Sequence, residues 1–190
     1  DVPVNKKQNL SISRGIYTAG EPAVRYRGIF LNDEAPCLTG WVEHTYGTEY
    51  GDHRFYERVF ELILRLRGNF IWPAMWGWAF YEDDPLNSRT ADEMGIIVGT
   101  SHHEPMARNH QEWARRRNEY GVWDYASNKK VIDKFFREGI ERAVDTEDLI
   151  TIGMRGDGDA AMGGKEGQDD KFVPDYDYMI KIMQKMNQDS

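Results

Sequence analysis

Short apolar runs alternate with longer mixed stretches along the chain, and the first, third and fourth strand-like runs end in a cluster of polar residues. The first run, residues 28–31, predicts a buried strand over about residues 26–32 that stops in Asn32-Asp33-Glu34, with Pro36 beyond. A long loop, 37–51, is expected next. Asp52 is placed to cap a helix. In that helix Phe55, Val59, Leu62 and Leu66 fall at helical spacing, with Tyr56, Phe60 and Ile63 beside them, until Gly68 stops it. Residues 70–72 predict a second strand, closed by Pro73, with Trp76 and Trp78 in the loop that follows. Asn87 or Ser88 would cap a short helix ending at Met94 and Gly95. Residues 96–100, β-branched or small, predict a third strand that ends in Ser101-His102-His103-Glu104-Pro105. A charged helical stretch, 110–120, is broken by Gly121. The helix after it is capped near Ser127 and turns Val131, Phe135 and Ile140 to one face. Residues 148–154 predict a fourth strand running into Arg155-Gly-Asp-Gly-Asp159. Pro174 fits the first turn of a last helix, where Tyr176, Met179, Ile180, Met183 and Met186 recur at helical spacing.

This order, strand then helix four times over, predicts an α/β fold with a parallel sheet. Continuously apolar strands imply burial on both faces. The polar clusters all follow strands and never precede them, which is where (β/α) barrels carry their sites. Eight such units typically take about 250 residues. The expected architecture is therefore about half of a TIM (β/α)8 barrel. Residues 26–190 would form its first four βα units, and residues 1–25 a linker or irregular hairpin from an upstream domain. A four-stranded flavodoxin-like sheet is the alternative. Open sheet edges pair readily, so a homo-oligomer is expected.

Composition narrows the partners. A net charge of −8 over 190 residues argues against nucleic acid, which calls for a basic face. No apolar stretch approaches the roughly 18 residues of a membrane span, so no membrane partner is expected. Cys37 is the one cysteine, so there is no internal disulfide. The chain begins at Asp1 without Met, which raises the expectation of an upstream segment. Six tryptophans and ten tyrosines supply flat apolar faces that suit sugar rings as well as a core.

Carboxylates at three strand ends, Asp33, Glu34, Glu104, Asp157 and Asp159, fit glycoside hydrolysis. In that reaction one carboxyl group protonates the leaving oxygen while another activates water or attacks; about 6.5–9.5 Å separates them in inverting enzymes. Asn32 adds an amide beside the first pair. The competing reading is that some of these are caps, turn formers or surface charges. His102 and His103 adjoin Glu104, and on an extended chain only one of the two faces the site. A metal site needs more ligands than that pair supplies, with Asp33 and Asp159 the ones that would have to join. It ranks below sugar binding, and no metal or cofactor is expected. Arg155 could hold a uronic acid carboxylate bidentately, or pair with Asp157 or Asp159. Trp72, Trp76 and Trp78 could stack on a pyranose, or pack beneath the loop. A metal-dependent hydrolase using His102, Glu104 and an aspartate, and a non-catalytic carbohydrate-binding module, stay as alternatives to a glycosidase.

The runs RGIFLNDEAP, GNFIWPAMWGW, GIIVGTSHHEPM and MRGDGDAAM, in this order and spacing, resemble glycoside hydrolase family 115, the xylan α-1,2-glucuronidases. The resemblance covers nearly the whole chain. It implies an inverting hydrolase that removes glucuronic acid, or its 4-O-methyl ether, from glucuronoxylan. It also implies a (β/α)8 barrel flanked by an N-terminal domain and by later helical and β-sandwich domains, in a dimeric enzyme placed outside the cell or in the periplasm. By motif position Asp33 and Glu34 match the end of the first strand, Trp76 and His102 match residues lining the sugar pocket, and Arg155 and Asp159 match uronate-binding and catalytic positions. The expected catalytic set is Asp33, Glu34 and Asp159, with acid and base roles open. The expected substrate-binding set is Asn32, Trp76, His102, Glu104, Arg155 and Asp157. The family's further glutamate and polar residues would fall beyond Ser190, so the isolated chain is expected to be inactive or nearly so.

Overall fold

The computed structural model describes residues 5, 8–153, 164–166, 172–174 and 176–189. Three strands, β1 (Gly28–Phe30), β2 (Phe70–Trp72) and β3 (Ile97–Val98), form a parallel sheet in the order β1-β2-β3. Ile29 lies opposite Ile71, and Ile71 opposite Val98. Parallel neighbours need a crossover between them, and helices supply it, so the fold is α/β. Residues 148–151 continue the row. Leu149 bridges Gly99 in parallel, and Thr151 N donates to Thr100 Oγ1 at 2.7 Å while Thr151 Oγ1 donates to Thr100 O at 2.6 Å. The fourth strand expected over 148–154 is thus present among the described residues as this one bridge.

The first crossover holds α1 (Leu38–Tyr46) and α2 (His53–Arg65). Asp52 caps α2 as expected, accepting from Arg54 N and Phe55 N at 3.1 Å each. Phe55, Tyr56, Phe60 and Ile63 then point into a core shared with Ile71, Val98 and Ala91. The α1 helix replaces the expected loop. Leu38 and Val42 are one turn apart, Val42 is fully buried, and Gly47 ends the helix at φ 74°. The second crossover holds α3 (Phe80–Asp83) and α4 (Leu86–Met94), which packs on α2. Neither Asn87 nor Ser88 caps α4. Asp84 Oδ1 receives Leu86 N at 2.9 Å, and Asn87 is buried, its amide donating to Gly51 O and Phe80 O at 3.0 Å.

After β3 the charged stretch is two short helices, α5 (His110–Arg115) and α6 (Arg117–Tyr120), parted at Arg116, whose φ of −118° is not helical. The following helix, α7 (Tyr125–Arg142), is capped by Asp124 and not by Ser127. The Ser127 hydroxyl instead donates to the Asp124 carboxylate at 2.6 Å. Phe135 and Phe136 of α7 build a second core with Trp113 and Tyr125, closed by Met186. Met186 belongs to α8 (Tyr176–Asp189). Pro174 does not start α8: it ends β5 (Phe172–Pro174), which pairs antiparallel with β4 (Gly164–Glu166).

The expectation that every strand is buried on both faces fails at β1. Ile71 and Val98 are fully buried, but Gly28, Ile29 and Phe30 are exposed. The reason is position: among the described residues β1 is an edge strand, paired on one side only, with β2. No described helix is long and apolar enough to cross a membrane.

Candidate functional site

Parallel order brings the carboxyl ends of β1, β2 and β3 side by side. The chain leaving β1 alternates its side chains. Asn32 and Glu34 are exposed, and the Asn32 amide donates to Glu34 Oε1 at 2.7 Å. Asp33, between them, is buried. Its carboxylate reaches the loop after β2, where Oδ1 accepts from Trp76 N at 3.3 Å and Oδ2 accepts from Gly77 N and, at 2.8 Å, from Trp78 N. Close approach is possible because residue 77 is glycine: a Cβ there would stand 3.1 Å from Asp33 Oδ2.

The carbonyls of the same loop are held from the opposite side. Asn109 Nδ2 donates to Met75 O and Trp78 O at 2.9 Å each. Gln111 Nε2 donates to Trp76 O at 2.6 Å, and Arg115 Nη2 to Gly77 O at 3.1 Å. Every backbone polar group from Met75 O to Trp78 O is thereby satisfied by a side chain, as buried or constrained backbone requires. The indole of Trp76 stands on this base and is 63% exposed. Trp78 turns the other way, into the core against Phe55 with ring centroids 5.8 Å apart. Trp72 is half-exposed beside Phe30.

At the end of β3 the two histidines part as adjacent residues should. His102 is exposed; His103 is buried, its Nδ1 3.0 Å from His110 Nδ1. Glu104 is only 1% exposed. Its Oε1 accepts from Asn109 Nδ2 at 3.3 Å, and its Oε2 meets no hydrogen-bond partner among the described residues. Burial lifts this carboxyl to about 8. The Asn109 amide and a Ser101 backbone contact oppose that rise, and the negative charges of Glu112 and Asp33 add to it. Beyond Glu104, Met106 and Ala107 both have positive φ, 52° and 57°. The turn they make presses on α7 at Gly139, where a Cβ would lie 2.1 Å from Met106 O.

The structure thus gathers Asn32, Asp33, Glu34, Trp76, His102 and Glu104 at adjacent strand ends. Arg155, Asp157 and Asp159 lie outside the described residues. Among the described residues no three His, Cys, Asp or Glu side chains converge as a metal site would need. Two surface cavities, of about 530 and 680 Å³, lie elsewhere: one between α7 and Asp189, the other beside Arg27, Gly28 and the end of α2. Asn109, Gln111 and Arg115 were not singled out from sequence. One signal was available for Asn109: Asn109-x-x-Glu112 spells a capping box, and the structure forms it, with Gln111 N donating to Asn109 Oδ1 at 2.8 Å and Asn109 N to Glu112 Oε1 at 3.0 Å.

The model of glycosyl hydrolase family 115 matches residues 19–186 of the chain. Among solved structures the chain is similar to a family GH115 4-O-methyl-α-glucuronidase with specificity for decorated arabinogalactans. The two share 35% identity over 89% of this chain, with a TM-score of 0.70. The matched part is 22% of that relative's chain, so the sequence spans less than a quarter of its length. Comparison with curated proteins gives no match.

Proposed function

The chain belongs to glycosyl hydrolase family 115, and on that premise we propose that it forms one wall of the active site of an inverting α-1,2-glucuronidase. The enzyme would remove glucuronic acid, or its 4-O-methyl ether, from xylan side chains. The observation that carries this is the family match over residues 19–186. The parallel order of β1, β2 and β3, with polar residues beyond the carboxyl ends of β1 and β3 and Trp76 beyond that of β2, supports the view that residues 26–190 are the first four units of a (β/α)8 barrel and residues 1–25 a linker into it.

In this proposal Arg155 receives the uronate carboxylate through its planar fork, with Asp157 beside it. Trp76 offers its face to the pyranose ring, and Asn32 and His102 meet the hydroxyls. The carboxyl groups of Asp33, Glu34 and Asp159 make up this wall's catalytic set. Glu34 is exposed at the strand end, where solvent reaches it. Glu104 supports the binding surface from beneath. Inversion needs one carboxyl group to protonate the leaving oxygen as the anomeric C–O bond breaks. A second carboxylate takes a proton from the water that attacks the opposite face. No cofactor enters.

The test uses the complete natural protein that carries this chain, with glucuronoxylan as substrate and proton NMR of the first product formed. β-glucuronic acid is expected; the α anomer would overturn inversion. The isolated 190-residue chain is expected to release none, and clear turnover by it would refute the view that the site is shared with other parts of the protein. A second reading has a specific observation behind it, because the solved relative has specificity for decorated arabinogalactans. Release from arabinogalactan and not from glucuronoxylan would move the substrate to that class.

The exposed apolar residues Ile29 and Phe30 of β1 also lead us to propose self-association of the isolated chain through that edge. Light scattering should then give a mass above 22.1 kDa; a monomer at working concentration would count against it.

A further inference from the structure

We infer that Asn109, backed by Glu104, is a positioning residue that sets the orientation of the Trp76 indole, and so the sugar-stacking surface of the site. The inference rests on the proposed role of Trp76 in sugar binding, but its physical basis is separate.

Three observations carry it. First, the Asn109 side chain joins two segments that are far apart in sequence, the loop of residues 75–78 and its own segment from Glu104 onward. Its amide donates to Met75 O and Trp78 O, the two carbonyls that bracket Trp76, and the same nitrogen lies 3.3 Å from Glu104 Oε1. Second, Asn109 cannot swing. It is 2% exposed, its Oδ1 is engaged by Gln111 N, and its own N–H donates to Glu112. Glu112 is in turn held by Arg142 at 2.8 Å. Third, the segment that delivers Asn109 is bent through two residues of positive φ, Met106 and Ala107, both buried. Backbone of that kind persists only where its surroundings over-determine it, and it concentrates at functional sites. Asp33 grips the loop by its amides and Asn109 by its carbonyls, so Trp76, exposed at the top, is presented on a base with little freedom. Such pre-organisation of a binding surface acts on affinity by lowering the cost of ordering it.

The substitution Asn109→Asp separates the clamp from the cap. Aspartate keeps the oxygen that Gln111 N needs and loses the amide hydrogens that hold Met75 O and Trp78 O. In the complete protein, Asn109→Asp is expected to lower kcat/KM roughly 10- to 100-fold, carried mainly by KM. Trp76→Ala should do the same, and the double variant should be no worse than Trp76→Ala alone, because both act through one surface. Losses that multiply would overturn the inference. With 5-fluorotryptophan incorporated, the fluorine resonance assigned to Trp76 should shift or broaden in Asn109→Asp while that of Trp113 stays in place. An unmoved Trp76 resonance would overturn the inference whatever the kinetics. If Trp76→Ala retains full activity, the stacking role under the proposed function fails, and the fluorine readout still decides the clamp. Should Asn109→Asp fail to fold, Gln111→Ala frees Trp76 O without touching the buried amide. It is expected to move the same resonance by less, and no movement would count against the clamp.

Discussion

Replacing Glu104 with glutamine is expected to raise the stability of the protein at pH 8 and to leave it nearly unchanged at pH 4. Glu104 sits in the core, and burial raises its carboxyl from an ordinary 4.5 to about 8. Between those values the unfolded chain has given up the proton and the folded chain keeps it. The folded state therefore binds more protons, and stability falls as pH rises from about 4.5 to about 8, then levels off. Below that window both states are protonated and the group contributes no difference. Glutamine has nearly the same shape, offers a carbonyl oxygen to Asn109 and has no proton to lose. The advantage of Glu104→Gln should grow across the window to the order of a few kcal/mol, a gain of roughly 5–10 °C in Tm for a chain of this size. Other buried acids whose carboxyl is lifted, Glu112 and Asp148, tilt the profile of both proteins alike and cancel in the difference. Thermal unfolding of both proteins from pH 4 to 8 is the measurement. A difference in Tm that does not change with pH would show that Glu104 is ionised in the fold.

That Glu104 lies inside and Glu34 outside was not legible from the pattern of residue types. Both follow an apolar run and both precede a proline within a few residues. What decides between them is a pleat and a neighbour. Asn32, Asp33 and Glu34 alternate, so one of the three had to point inward, but choosing Asp33 requires knowing that the amides of residues 76–78 lie beneath it. Those contacts span 43 to 45 positions of chain. The parts that were legible are local. The bounds of β2 follow from Phe-Ile-Trp closed by proline, and the start of α2 follows from Asp52. The α1 helix was missed although Leu38, Val42 and Tyr46 keep helical spacing. Gly40 inside the stretch and a high polar content pulled it toward a loop, and burial of Val42 against α2 outweighs that weak propensity. Asn109 shows the same limit at the site. Its capping role is written in the sequence, its grip on Met75 and Trp78 is not.

Asp33→Asn is expected to lower stability and activity together, whereas Glu34→Gln should lower activity alone. The Asp33 carboxylate accepts three backbone N–H groups, and two of them converge on one oxygen. Asparagine keeps a single acceptor oxygen and turns its own N–H groups toward at least one amide it cannot satisfy. Hydrogen bonds to a charged acceptor contribute about 1.5–3 kcal/mol each, and a buried donor left without a partner costs about 1–3 kcal/mol. A loss of at least about 2 kcal/mol follows, several degrees in Tm at this length. Glu34 is exposed, with one hydrogen bond to Asn32, so its replacement should stay within about 0.5 kcal/mol. The thermal comparison separates two roles that activity alone would merge. A carboxylate used only in the chemistry would be lost without a change in Tm. One that also ties β1 to the loop of Trp76 must take stability and the Trp76 environment with it. Asp33→Asn with an unchanged Tm and an unmoved Trp76 fluorine resonance would remove the tie. In that case the loop of Trp76 would be held from its carbonyl side alone, by Asn109, Gln111 and Arg115.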